Sequence, residues 1–174
     1  GLVAKDPAAR YLAGKRHPGW QKIKFVTRQE FVVGGWTQGR LSRSHFGALL
    51  VGYYAGAPRR QPVTARREMA GWAASAEATA KRLVYAGHVG SGFSDAELEA
   101  IAGHLRTIET DESPFADDPR RRQTPHPKEQ PHWVHPSLVI DVKFTQWTAD
   151  EVLRNPVYLG VRTDKAAANV RRED

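Results

Sequence analysis

Glu30-Phe31-Val32-Val33-Gly34-Gly35-Trp36 is the stretch that decides the fold. Its β-branched and aromatic residues predict a strand, and the two glycines inside it predict a bulge or a sharp bend. Runs of the same character recur at Phe46 to Tyr54, Arg82 to Val89 and Leu138 to Phe144, with Gly52, Gly87, Gly90 and Gly92 in or beside them. Val157 to Val161 reads as one more. Short, bent, glycine-marked strands predict a small barrel, so the fold class is mainly β with helices.

One helix is announced by its own start signal. Ser94-Asp95-Ala96-Glu97 has capping-box spacing, and Leu98, Ile101, Ala102, Leu105 and Ile108 follow at helical intervals. That stripe predicts a helix plugging the core. Between the second and third strand runs, Pro58 to Lys81 is far longer than a hairpin turn. Its part from Ala65 to Ala80 is rich in Ala, Glu, Arg and Lys and predicts an inserted helix. Ser113 to Pro131 holds five of the 11 prolines and the Arg120-Arg121-Arg122 run, and reads as a loop.

The opening stretch reads strand, loop, strand, with Leu2-Val3-Ala4 first and Lys22-Ile23-Lys24-Phe25 last. Two-residue alternation puts Lys22 and Lys24 on one face and Ile23 and Phe25 on the other, predicting a cationic face backed by an apolar one.

Composition sets the bounds. A chain of 174 residues has room for one ordinary domain and a fragment of a second. With 26 Lys and Arg against 19 Asp and Glu, the formal net charge is +7, which favours a polyanionic partner through phosphate neutralisation and counterion release. The chain has no cysteine, which excludes disulfides, thiolate zinc sites and cysteine nucleophiles. No apolar run approaches the roughly 20 residues of a membrane-spanning helix, so no membrane partner is expected.

Few residues look chemically equipped. Lys22 and Lys24 are compact cations suited to a nucleotide phosphate, or simply to a solvated strand face. Arg162 and Lys165 follow the strand run Val157 to Val161 and could pair with phosphates while Asp164 orients one of them; an ordinary exposed ion pair is the alternative. His126, His132 and His135 lie close together, but their Pro-rich surroundings and the lack of a carboxylate at ligand spacing argue against metal. Trp36, Trp72, Trp133 and Trp147, with Tyr53 and Tyr54, could stack on bases, although in so small a chain most should be core. Arg28, Arg40, Arg43, Arg59, Arg60, Arg66, Arg67 and Arg120 to Arg122 fall mainly in or beside loops, where they would track a phosphate backbone. There is no Walker-type loop, no His-Glu-x-x-His helix, no Gly-x-Ser-x-Gly elbow and no obvious nucleophile.

Seven segments, taken in order, resemble the C-terminal half of bacterial ATP-dependent DNA ligases, and most of all the ligase domain of ligase D. They are Gly1-Leu2-Val3-Ala4-Lys5, Trp20-Gln21-Lys22-Ile23-Lys24, Arg28-Gln29-Glu30-Phe31-Val32-Val33-Gly34-Gly35, Phe46 to Tyr54, Tyr85 to Phe93, His132-Trp133-Val134 and Arg162-Thr163-Asp164-Lys165. The resemblance implies residues 1–26 as the last strands of a nucleotidyltransferase domain. It implies residues 27–174 as an OB-fold domain, a five-stranded barrel with one capping helix. It further implies ATP and magnesium as cofactors of a complete enzyme, with neither held stably by this chain alone. Lys5, Lys22 and Lys24 would contact the adenylate, and Arg162, Asp164 and Lys165 would approach the leaving pyrophosphate on domain closure. Lys22, Lys24, Arg162 and Lys165 would then be the catalytic cations, and Arg28, Arg40, Arg43 and Lys143 the DNA contacts.

The implied partners are nicked or broken duplex DNA, the N-terminal adenylation half, and Ku. The implied setting is the bacterial cytoplasm, at the nucleoid. In that family the adenylated lysine lies in a Lys-x-Asp-Gly motif upstream of anything here, and the metal-binding glutamate would immediately precede Gly1. The chain alone is therefore expected not to self-adenylate, and residues 1–26 to present unpaired strand edges. The insertion at Pro58 to Lys81 departs from the family pattern. A freestanding nucleic-acid-binding module is the rival reading, and an RNA end, by the shared two-domain plan of capping enzymes, a third.

Overall fold

Strand β3 (Thr27–Thr37) occupies the centre of the sheet, because Phe31, Val32 and Val33 are completely buried and need neighbours on either side. The computed structural model describes residues 1–10, 12–15, 18–39, 45–55, 82–117, 119 and 130–173. The expected inserted helix at Ala65 to Ala80 lies outside them. Before β3 come β1 (Leu2–Lys5) and β2 (Trp20–Ile23). After it come β4 (Ala48–Tyr54), β5 (Leu83–Val89), helix α1 (Asp95–Thr107), β6 (Glu109–Thr110), β7 (His132–Val134) and β8 (Val139–Phe144). The short β9 (Gln146–Trp147) and β10 (Leu153–Arg154), then β11 (Val157–Arg162), complete the set, followed by a 3-10 turn at Ala167–Asn169.

The five long strands pair antiparallel in the order β11-β8-β3-β4-β5, with β7 added to β3 and β6 to β7. The two outer strands are brought together where the Tyr158 N–H donates to the Ser91 carbonyl at 2.9 Å and the Phe93 ring stacks on Tyr158 at 4.3 Å. This is the small barrel that the strand pattern predicts, with the five strands of the OB-fold that the resemblance implies. The glycine-marked bends are present too. Pairing slips between Val33 and Gly35, between Val51 and Gly52, and between Tyr158 and Gly160. Gly34 sits in the first slip because a Cβ there would lie 2.5 Å from the Phe115 ring.

Helix α1 buries Ile101, Ala102 and Leu105 against the barrel, and Ala102 and Leu105 share an apolar seam with Trp36 and Phe46. Its capping box is complete: the Ser94 Oγ accepts from the Glu97 N–H, and the Ser94 N–H donates to Glu97 Oε2 at 2.8 Å. Glu97 also bonds the Tyr158 hydroxyl, whose pKa burial and that carboxylate push up to about 12. The cap thus ties the helix to β11. Ser94→Ala is expected to cost about 1 kcal/mol in urea denaturation and to speed hydrogen exchange in the first turn of α1.

Residues 170–173 form a strap over the barrel. Val170 is fully buried and its carbonyl accepts from the Tyr54 N–H at 3.0 Å. The buried Gln29 amide donates to the Arg171 carbonyl at 3.1 Å and accepts from the Glu173 N–H at 3.3 Å. Arg172 lies over Trp147, 4.5 Å from the ring centroid, and reaches Glu151 at 3.1 Å.

The hairpin β1–β2 differs in detail from the sequence reading. The second strand runs from Trp20 to Ile23, so Lys24 and Phe25 lie past its end. The register pairs Val3 with Lys22 and Lys5 with Trp20, so the lysine face also carries Val3 and Trp20 and is mixed, not purely cationic. Alternation along one strand says nothing about what its partner contributes. Among the described strands, β1 and β2 pair only with each other, and Leu2, Val3, Ile23, Phe25 and Val26 are exposed.

Candidate phosphate and nucleic-acid interface

The β3–β8 register sets Arg28 opposite Lys143 and Glu30 opposite Asp141. Directly opposed residues share a face, so two like-charged pairs sit side by side on one surface of the barrel. Two facing carboxylates repel, and they need cations. On the neighbouring strand the residue opposite Asp141 is Gly160, which carries no side chain, and Arg162 lies two residues further along the same face of β11.

Those cations are in place. Asp141, only 3% exposed, accepts from Arg28 Nε at 2.7 Å and from Arg28 Nη2, with Arg162 Nη1 3.9 Å away. Glu30 is gripped at both oxygens: Oε1 lies 2.9 Å from Arg162 Nη1 and Oε2 lies 2.5 Å from Lys165 Nζ. Asp164 takes the other edge of the Arg162 guanidinium, accepting from Nε at 2.8 Å and from Nη2 at 2.7 Å. Three carboxylates (Glu30, Asp141, Asp164) thus interlock with three cations (Arg28, Arg162, Lys165).

Electrostatics follow from these contacts. The hydrogen bond and charge of Asp141 hold the Arg28 pKa above its ordinary value, and Asp164 does the same for Arg162. In return, the Arg162 hydrogen bond lowers the Asp164 carboxyl to about 2, helped by a backbone N–H and by the charges of Arg162 and Lys165. A carboxylate depressed in the folded state contributes stability above its unfolded pKa and loses it as pH falls through the folded value. The Arg162–Asp164 pair is therefore expected to persist until pH approaches 2. A carboxyl carbon titration of Asp164 by NMR checks this, and a midpoint near 4 would show the pair absent in solution.

The lysines near the start of the chain stand apart from this network. Lys22 and Lys24 are exposed, and no hydrogen bond or ion pair among the described residues joins them to Glu30, Asp141 or Asp164. Lys5 lies over Trp20, 4.6 Å from the ring centroid. Lys143 is exposed, and Arg28 lies in a strand, not a loop, half of its reach taken up by Asp141. Arg40 and Arg43, with Arg59, Arg60, Arg66, Arg67 and Arg120 to Arg122, fall outside the described residues.

The aromatic candidates mostly serve the core. Trp147 packs edge-on against Phe31, Tyr53 and Phe144, and Trp133 against Phe115; Trp72 lies outside the described residues. Trp36 stacks on His132 at 4.0 Å, and the Nδ1 of that histidine is 2.7 Å from Glu109. His126 is outside the described residues.

Sequence reading missed Glu30 and Asp141 as parts of the site. For Asp141 a signal existed: a charge interrupting the apolar run Leu138-Val139-Ile140-Val142 is tolerated only when paired. Glu30 gave no such sign, since it stands at the polar entry to a strand.

A family model described as the C-terminal region of ATP-dependent DNA ligases matches residues 42–165. The multifunctional non-homologous end joining protein LigD of Pseudomonas aeruginosa is 34% identical over 173 residues, which is 99% of this chain and 18% of that protein. LigD of Mycolicibacterium smegmatis is 33% identical over 174 residues, 98% of this chain and 19% of that protein. The crystal structure of the ligase domain of M. tuberculosis LigD superposes with a TM-score of 0.63 at 31% identity, covering 98% of this chain and 47% of that one. A mycobacterial DNA ligase D complexed with ATP and MES gives 0.60 at 31% identity, covering 95% of this chain and 44% of that one. The chain spans less than a fifth of the length of these curated relatives.

Proposed function

We propose, from the fact that this chain belongs to the family of ATP-dependent DNA ligase C-terminal regions, that it forms the lid and DNA grip of an enzyme that joins breaks in duplex DNA. The observation that carries the proposal is the pairing of Arg162 and Lys165 on one carboxylate at the barrel surface. A guanidinium has five N–H donors and an ammonium three. Arg162 donates two to Asp164 while its Nη1 lies in ionic contact with Glu30, and Lys165 donates one to Glu30, which leaves N–H groups on both cations for phosphate oxygens.

This donor set suits a nucleotide polyphosphate. ATP supplies the adenylyl group, and this chain's part is to hold phosphates and offset their charge as pyrophosphate leaves. Among the described residues no group of three or more side chains is arranged to hold a metal ion, and magnesium is assigned no ligand on this chain. Lys5, Lys22 and Lys24 are assigned to the adenylate phosphate, and Arg28 and Lys143, with Arg40 and Arg43, to the DNA backbone. Residues 1–26 are then a strand pair of the adenylation domain, and residues 27–174 the OB-fold domain. The reactive lysine belongs to an adenylation half, and opening and closing of the two halves gates the steps. The non-homologous end joining of the LigD relatives makes broken ends a natural substrate and Ku a further candidate partner, in the bacterial cytoplasm at the nucleoid.

The test is reconstitution. This chain joined to an adenylation half, with ATP, magnesium and a nicked duplex, is expected to seal the nick, while the chain alone forms no covalent adenylate. Failure of the joined protein to seal, with salt-sensitive DNA binding intact and indifferent to the nick, would replace this reading with a simple binding module.

A further inference from the structure

Glu30 is itself assigned no phosphate contact above, yet it touches both Arg162 and Lys165. Its Oε1 receives Arg162 at 2.9 Å and its Oε2 receives Lys165 at 2.5 Å. Covalent geometry fixes the two oxygens of a carboxylate relative to each other. One side chain on the rigid central strand therefore fixes the separation of a guanidinium and an ammonium that would otherwise swing on long flexible stems.

The arrangement is a poor way to stabilise a sheet. The next positions along the β3–β8 ladder are the apolar pairs Phe31 with Ile140 and Val32 with Val139. At Glu30 and Asp141 the same ladder sets two carboxylates opposite each other, a like-charge pair that is unfavourable by itself. Asp141 is buried, and leaving such a charge without its partners is costly. The carboxylate pair is tolerable when the cations are in position, and the cations are held in position by the pair.

We propose that Glu30 is a positioning residue for the phosphate chemistry of Arg162 and Lys165, with Asp141 as the buried support beneath it. Glu30 sets the spacing of the two cations before any phosphate arrives, so the site is preorganised and spends little binding energy on ordering them. This inference rests on the functional reading above, since it assigns Glu30 a role through the two cations named there.

The experiment uses the chain joined to its adenylation half and measures two single-turnover rates: adenylation by ATP, and sealing of a nick that already carries AMP. Glu30→Gln leaves a single acceptor oxygen and is expected to slow adenylation about 10- to 100-fold, mainly in the rate at saturating ATP, with sealing of the adenylated nick within about twofold of wild type. Added to an Arg162→Ala/Lys165→Ala background, Glu30→Gln is expected to do nothing more. Glu30→Asp keeps the charge balance of the cluster, and hence the fold, but shortens the arm by one methylene. It is expected to give the same split between the two steps.

A second readout needs only the 174-residue chain. The Lys165 ammonium signal in nitrogen-correlated NMR is expected in wild type and lost in both Glu30 variants. Equal losses in adenylation and sealing, or a persistent Lys165 signal with unchanged adenylation, overturns the proposal. If Arg162→Ala and Lys165→Ala themselves leave adenylation unchanged, the functional reading falls as well. If they slow it and the Glu30 variants do not, only the positioning role falls.

Discussion

Arg162→Ala is expected to slow adenylation of the joined ligase by about 100- to 1,000-fold, the range typical for removing one preorganised donor from a site of developing charge. Sealing of an already adenylated nick should fall by no more than about tenfold, because no pyrophosphate leaves in that step. The fork geometry matters as well as the charge: Asp164 holds the Nε and Nη2 edge, and Glu30 the Nη1 side. Arg162→Lys restores a cation without the planar fork, so it should recover only part of the rate. Alanine at this position also leaves Glu30 and Asp141 facing each other with one cation fewer. Rates are therefore to be compared well below the unfolding midpoint of each variant. Equal loss in both chemical steps would move Arg162 from the adenylation chemistry to DNA grip or folding.

The second large effect concerns stability. Gly92 has φ +99°, and a Cβ there would lie 2.4 Å from the Tyr158 carbonyl oxygen, 2.7 Å from Val157 Cγ1 and 2.9 Å from the Tyr158 nitrogen. Two of those three are backbone atoms and cannot swing aside. They belong to the seam where Ser91 accepts from Tyr158 and the barrel closes. Gly92→Ala combines an unfavourable backbone conformation with a clash, and the two together are expected to cost about 3 kcal/mol. For a domain of this size that lowers the thermal midpoint by about 6–12 °C. Gly103 supplies the control: it lies in α1 with nothing within 4 Å of an added Cβ. Gly103→Ala should be neutral or stabilising by up to about 1 kcal/mol. A Gly92→Ala protein that unfolds at the wild-type urea concentration would mean the seam is not closed in solution.

The parts of this structure that were legible in the sequence are those written locally. The capping box spans four consecutive residues, the strand runs announce themselves by composition, and the Arg162–Asp164 pair joins side chains two positions apart. What resisted reading depends on register. Glu30 meets Asp141 because of how β3 and β8 align, and Arg162 reaches them past Gly160 after the pairing slip at Leu159. A single residue more or less before that slip would turn Arg162 to the opposite face. The same cause explains the hairpin, where Val3 joined the lysine face from across the ladder. The short pairs β6–β7 and β9–β10 hold two or three residues a strand, too few for any periodicity to register.

The strap of residues 170–173 carries a consequence for how the molecule comes into being. Gln29 and Glu173 lie 144 positions apart, and the carbonyl of the buried Val170 accepts from the Tyr54 N–H. During synthesis β3 is made well before residues 170–173, so the Gln29 amide must wait for them before it finds these partners. Until then a nascent barrel exposes an apolar groove. Versions cut short before Val170 are accordingly expected to be stalled, with more aggregation and faster proteolysis than the full chain.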